Sequence, residues 1–159
     1  MQPGMPFLIQ SDDAGRRSPP AARQGAGAVE GLPLETPVLV VEDEVLIAWT
    51  LYDMLEAMGF SNVRVARDAK EALALAAERQ PGLLICDINL GPGEDGVSAA
   101  ARIRALGHVT VLFITGYAGT EIRSQIDRTI AGAPLLRKPI ELQTLADCLR
   151  HVLLGPTPH

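Results

Sequence analysis

From Pro37 onward, short apolar runs alternate with longer stretches in which apolar residues recur every three or four positions. Val38-Leu39-Val40-Val41 is continuous, largely β-branched and short, the pattern of a strand covered on both faces. Glu44 to Gly59 carries helical spacing and stops at a glycine. Within it Ile47, Leu51, Met54 and Met58 follow i, i+4, i+7 and i+11 and are expected to face a sheet, which leaves Val45, Ala48, Trp49, Tyr52 and Leu55 largely elsewhere. Asn62 to Ala66 predicts a second strand, and Asp68 suits the N-cap of a helix over Ala69 to Arg79 that Pro81-Gly82 ends. Leu83 to Cys86 is a third strand, followed by the loop Gly91-Pro92-Gly93 and a helix over Gly96 to Leu106. Val109 to Ile114, Thr120 to Ala131, Leu135-Leu136 and Glu141 to Leu154 continue as strand, helix, short strand and helix.

Strands that alternate with helices predict a parallel sheet covered on both faces. The fold class expected is α/β: a flavodoxin-like (βα)5 doubly wound sheet with strand order 2-1-3-4-5, its crevice at the carboxyl ends of strands 1 and 3. The residues just after the strands are Glu42-Asp43-Glu44, Asp87, Thr115-Gly116 and Lys138-Pro139. Carboxylates crowded at one sheet edge repel one another and call for a hard divalent cation such as Mg²⁺. Asp87 can then act as a nucleophile toward phosphorus, giving an aspartyl-phosphate. Lys138 supplies an ammonium and Thr115 a hydroxyl to offset and orient the phosphoryl charge. Alone, each has an ordinary explanation: acids suit a helix N-terminus, threonine suits strands, lysine suits surfaces. Their coincidence at the ends of strands 1, 3, 4 and 5 is the signal.

Composition changes the picture at the ends of the chain. Residues 1–36 hold ten Pro and Gly against seventeen in the other 123, too little apolar surface to offset the entropy of ordering. The expected layout is an N-terminal extension over 1–36, in which Met5 is an alternative start, a folded domain over 37–154, and a short tail over 155–159. A formal charge of −5 on 159 residues argues against direct binding to DNA. No apolar run approaches the ~20 residues of a membrane span. Cys86 and Cys148 are too few for a disulfide framework, which points to the cytoplasm.

The segments Val38 to Glu44, Leu84 to Leu90, Leu112 to Gly116 and Leu136 to Pro139 resemble, in order and spacing, the four signatures of two-component response-regulator receiver domains. The resemblance covers about Pro37 to Leu154. It implies that Asp87 accepts a phosphoryl group from a sensor histidine kinase or phosphotransfer protein. It implies Mg²⁺ ligation by Asp43, Asp87 and the Asn89 carbonyl, with Glu42 acting through water. Thr115 and Lys138 would contact phosphoryl oxygens, the bond to Pro139 would be cis, and Gly116 would leave room for the donor. Leu46, Trp49 and Pro139 are candidates for kinase docking. With only a five-residue tail after Leu154, the expectation is a single-domain regulator that signals through an unknown output protein and is not an enzyme in the ordinary sense.

Three features depart from the common receiver pattern. The loop Asn89 to Gly96 is one residue longer and lacks the usual proline, similar to a subgroup associated with HWE-type kinases. Leu135 stands where a switch aromatic is usual. Tyr117, two residues after Thr115, is at a position that tunes phosphoryl lifetime, and Phe113-Ile114-Thr115-Gly116-Tyr117 partly resembles a subgroup named for its Phe-Ala-Thr-Gly-X-Tyr motif. The alternative is a pseudo-receiver that works by binding without phosphorylation. An Asp-nucleophile phosphatase of the haloacid-dehalogenase type would need an acid two residues after Asp87, and Asn89 cannot exchange the proton.

Overall fold

The computed structural model describes residues 30–117 and 119–155. Residues 1–29, with Met5, and the tail 156–159 lie outside the described residues. The elements are β1 (Val38–Val41), α1 (Val45–Met58), β2 (Val63–Ala66), α2 (Ala69–Glu78), β3 (Leu83–Asp87), α3 (Gly96–Leu106), β4 (Thr110–Thr115), α4 (Thr120–Thr129), β5 (Leu135–Arg137) and α5 (Leu142–Leu154). The five strands form one parallel sheet in the order β2-β1-β3-β4-β5, a flavodoxin-like arrangement. Among the described residues no helix is long and apolar enough to cross a membrane.

Side chains alternate across each strand, so the sheet carries two cores. Leu39, Val41, Leu84, Cys86 and Phe113 face α2, α3 and α4, where Ala72, Val97, Ile103 and Ile126 cover them. Val38, Val40, Leu83, Ile85 and Ile114 face α1 and α5, where Leu51, Leu55, Leu145 and Leu149 cover them. Each fully buried aliphatic side chain contributes roughly 1.5–3 kcal/mol of transfer free energy. The helices begin and end where the sequence supplies caps. Asp68 accepts the Glu71 amide at 2.8 Å, Asp95 accepts the Ser98 amide at 2.8 Å, and Gly59 ends α1 with φ near +107°.

Two expectations need correction. The buried stripe of α1 is Ala48, Leu51, Leu55 and Met58, with Ile47 and Met54 only half-buried. Ile47 and Met54 still pack against the same core, so the face toward the sheet is wider than the stripe the periodicity selects, and Ala48 and Leu55 belong to it as well. Residues 30–36, assigned by composition to the extension, lie along the α1/α5 side. Leu32 is buried in that core, Leu34 lies over Gly59, and Arg150 donates to the Glu30 carbonyl at 2.6 Å. The packed chain thus starts by Glu30 and not at Pro37.

Candidate functional site

Parallel register brings the strand ends to one edge. Cys86 of β3 lies beside Val41 of β1 and Asp87 beside Ile114 of β4, while Thr115 lies beside Arg137 of β5. The Ile88 amide donates to the Ile114 carbonyl at 3.1 Å, and the Lys138 amide donates to the Thr115 carbonyl at 2.7 Å. These bonds hold the residues that follow β3 and β5 against the end of β4. The Lys138–Pro139 peptide is cis.

Four charged groups converge there. Carboxylate oxygens of Glu42, Asp43 and Asp87 all lie within 4.8 Å of one another. The Lys138 Nζ sits 2.8 Å from Glu42 Oε1 and 3.1 Å from Asp87 Oδ2. Glu42 and Asp87 are buried and Asp43 is exposed, so the cluster runs from the interior to solvent. The Asn89 amide donates to Asp87 Oδ1 at 3.2 Å and the Glu44 amide to Glu42 Oε2 at 3.1 Å. Glu42 Oε1 pairs with the Lys138 ammonium at 2.8 Å, a charge-assisted contact at the buried end of the cluster.

The charges shift one another. Burial pushes the Glu42 carboxyl up to about 7 against the opposing pull of Lys138 and the Glu44 amide, and the Asp87 charge adds to the rise. Burial draws the Lys138 ammonium down, but its contacts with Glu42 and Asp87 outweigh that and hold it above its usual range. Burial also pushes the Cys86 thiol up, with Asp87, Asp95 and Glu42 adding to it, so Cys86 is an inert thiol.

The remaining candidates are arranged differently. Thr115 is buried, and its hydroxyl donates to the Tyr117 carbonyl at 2.6 Å while accepting the Tyr117 amide at 3.1 Å. A Cβ at Gly116 would meet nothing within 4 Å, so the chain is open there. The Tyr117 side chain is exposed and lies over Gly119. Leu135 is half-buried and packs against the core on the α2–α4 side. Leu46 and Trp49 are exposed on the first turns of α1. Pro139 lines an apolar groove of about 330 Å³ with Ile47, Thr50, Leu51, Lys138 and Ile140, whereas Trp49 lines a cleft on the other flank of α1 with Glu42, Val65 and Arg67. Pro139 and Trp49 thus border opposite flanks of α1, and Leu46 lines neither cavity.

Two glycines escaped the sequence reading. Gly91 has φ near +81°, and a Cβ there would lie 3.5 Å from Asp43 Oδ2, so the backbone of the long loop runs beside the acid cluster. At Gly96 a Cβ would fall 1.9 Å from the carbonyl oxygen of Asp87. Their one sequence signal is three glycines within six residues, a pattern that a turn alone explains.

Comparison with known proteins agrees with this geometry. The sequence model of the response regulator receiver domain matches residues 38–150. The phyllosphere-induced regulator PhyR of Methylorubrum extorquens is 38% identical over 93 residues, covering 58% of this chain and 35% of that protein. The solution structure of the PhyR receiver domain of Erythrobacter litoralis superposes with a TM-score of 0.66 and 31% identity, covering 79% of this chain and 97% of that one. A response regulator from Burkholderia pseudomallei, solved with a phosphorylated aspartic acid, calcium ion and citrate, has a TM-score of 0.64 and 30% identity over 75% of this chain and 66% of that one. The chain spans about a third to a half of the length of the curated relatives it matches. With the acid cluster, the facing lysine and the 2-1-3-4-5 sheet in place, the chain belongs to the response-regulator receiver domain family.

Proposed function

We propose that this chain accepts a phosphoryl group on Asp87 in a Mg²⁺-dependent reaction and signals by altered binding of a partner protein. The donor is a phosphohistidine on a sensor kinase, of the HWE type, or on a phosphotransfer protein. The observation that carries the reading is the convergence of Glu42, Asp43, Asp87 and Lys138 at one sheet edge. The acid set fits the cation: its carboxylate oxygens lie within 4.8 Å of one another, and Asp43 opens the cluster to solvent. Asp43, Asp87 and the Asn89 carbonyl would hold it, with Glu42 acting through water. A bound Mg²⁺ would offset charge on the phosphoryl oxygens.

The chain's own groups do the rest. The Asp87 carboxylate forms the new P–O bond as the P–N bond of the donor breaks and its electron pair returns to the imidazole. The Asn89 amide holds one Asp87 oxygen and Lys138 the other, which orients the attacking lone pair. Lys138 turns toward the phosphoryl charge as it arrives, and the Thr115 hydroxyl follows when it leaves the Tyr117 carbonyl. The groove along Ile47, Thr50 and Pro139 opens beside Lys138 and suits an apolar ridge of the donor's helix, with the exposed Leu46 on the same first turns of α1 and Trp49 on its other flank. The relative solved with a phosphorylated aspartic acid supports the acceptor role. We read the chain as a signalling acceptor, not an enzyme with an external substrate, working in the cytoplasm, where Cys86 and Cys148 stay reduced.

The test is intact mass after incubation with a small-molecule phosphodonor and Mg²⁺. One added phosphoryl group, absent without Mg²⁺ and absent in Asp87→Asn, is the expected result; no gain at any time point overturns it. The second reading, a module that binds without phosphorylation, draws on the Thr115 hydroxyl bonded to Tyr117 beside a residue 135 that has no ring. It requires partner binding that Asp87→Asn leaves unchanged.

A further inference from the structure

We propose that Gly96 is a positioning residue for the phosphoacceptor, and that the carbonyl of Asp87 packed against it sets where the Asp87 carboxylate and the Asn89 backbone stand. The inference rests on the function proposed above and adds to it a residue outside the charged cluster.

The loop from Ile88 to Asp95 leaves β3 at Asp87 and returns onto the same place. The Gly96 amide donates to the Ile88 carbonyl at 2.8 Å, closing the neck of the loop. A Cβ on residue 96 would fall 1.9 Å from the Asp87 carbonyl oxygen, 2.8 Å from its carbon and 2.9 Å from the Ile88 Cα. All three are backbone atoms, so no side-chain rotation relieves the overlap. Gly96 has no positive φ, so the glycine serves contact and not conformation. The Cys86 thiol closes the neck from below, 3.4 Å from the Asp87 carbonyl and 3.5 Å from the Gly96 carbonyl. It is buried and held as a thiol, a weak donor shared between the two segments. The first turn of α3, itself fixed by the Asp95 cap on Ser98, is thus pressed against the peptide that carries the acceptor.

Any side chain at 96 must part these segments by more than about 1 Å. A misplacement of that size near reacting groups costs up to about 10²-fold. The Asn89 amide bond to Asp87 Oδ1 and the Asn89 carbonyl move with the neck.

The experiment compares wild type, Gly96→Ala and, as a control on the same turn of α3, the exposed Ser98→Ala. It follows the Asn89 amide resonance by NMR without metal, then its titration with Mg²⁺ alone. Expected in Gly96→Ala are an upfield shift of the Asn89 amide, from a weaker bond to Asp87, and a Mg²⁺ midpoint raised at least tenfold in protein that is still folded. A mere loss of stability would leave both unchanged in the folded fraction. An Asn89 amide and Mg²⁺ midpoint equal to wild type overturn the proposal. If wild type itself binds no Mg²⁺, the metal part of the proposed function falls, and the Asn89 amide alone judges Gly96. Should Gly96→Ala fail to fold, Cys86→Ala and Cys86→Ser decide. A shifted Asn89 amide in Cys86→Ala that Cys86→Ser restores supports the neck, and two wild-type spectra overturn it.

Discussion

The wall of the pocket formed by β1, β3 and the turn after β5 holds its groups already in contact, whereas the β4 wall holds its hydroxyl turned into its own loop. On the first wall Lys138 reaches Glu42 and Asp87, and backbone amides fix the remaining carboxylate oxygens. On the second, the Thr115 proton is committed to the Tyr117 carbonyl at 2.6 Å. A hydroxyl has one proton, so Thr115 cannot donate to a phosphoryl oxygen and to Tyr117 together. The first wall is built for chemistry before any donor arrives. Under the proposed function the second would change its bonding once an anion forms on Asp87, as a switch requires.

The largest effect should come from the ready wall. Lys138→Ala should slow phosphorylation of Asp87 by about 10²–10³-fold, as when a preorganised donor is removed from a developing oxyanion. Quenched-flow intact mass would measure it. A loss below threefold would mean that the ammonium only neutralises the resting acids.

Next comes the cost of keeping Glu42 buried beside Asp87. Its carboxyl titrates near 4.5 in the unfolded chain and about 7 in the fold. The folded state then holds the proton more tightly, so this contribution to stability is full below pH 4.5 and is lost as pH rises through 7. The loss is on the order of 3 kcal/mol for the metal-free protein. Denaturant titrations in a chelator between pH 4.5 and 8 should show the decline. Glu42→Gln should flatten it, and a wild-type slope in that variant would assign the decline elsewhere.

Thr115→Ala should do less. Moving the hydroxyl from Tyr117 to a phosphoryl oxygen trades one hydrogen bond for a charge-assisted one, a net gain of about 1 kcal/mol. That corresponds to roughly fivefold in the rate or lifetime of the phosphorylated form. Thr115→Ser should retain most of it. A hundredfold loss in Thr115→Ala would show that the hydroxyl is as preorganised as Lys138.

The same contrast separates what the sequence reveals from what it hides. Strand runs such as Val38 to Val41 announce the sheet, and the residues at and just after each strand's end then fall at one edge by topology alone. That is why Asp87, Thr115 and Lys138 could be picked before any coordinate. At α1 periodicity set Val45 and Trp49 off the core, where they are exposed. It also left out Ala48 and Leu55, which are buried, because a single stripe is narrower than the face the helix covers. Leu32 sits in a Pro- and Gly-rich stretch whose composition averages away one buried anchor. Gly96 and the Thr115–Tyr117 pair depend on contacts of a few ångströms between backbone segments, and backbone contacts leave no pattern in side-chain hydrophobicity.

The smallest effect is expected where the usual pattern would place the largest. Leu135 begins β5, pairs in register with Phe113 and packs toward the α2–α4 core, so a ring there would have to leave that core to follow Thr115. The Thr115 hydroxyl already has a partner that it must release, the Tyr117 backbone two residues on. If that local pair is the coupling, the ring is redundant. Leu135→Phe should change partner affinity of the phosphorylated form by less than about twofold and cost about 1–3 kcal/mol in stability from overfilling. Tyr117→Ala keeps the backbone bonds but uncovers Gly119, and should alter hydrogen exchange in residues 116–123 on phosphorylation more than Leu135→Phe does. The reverse ranking would move the switch from the β4–α4 turn to β5 and erase the difference between the two walls.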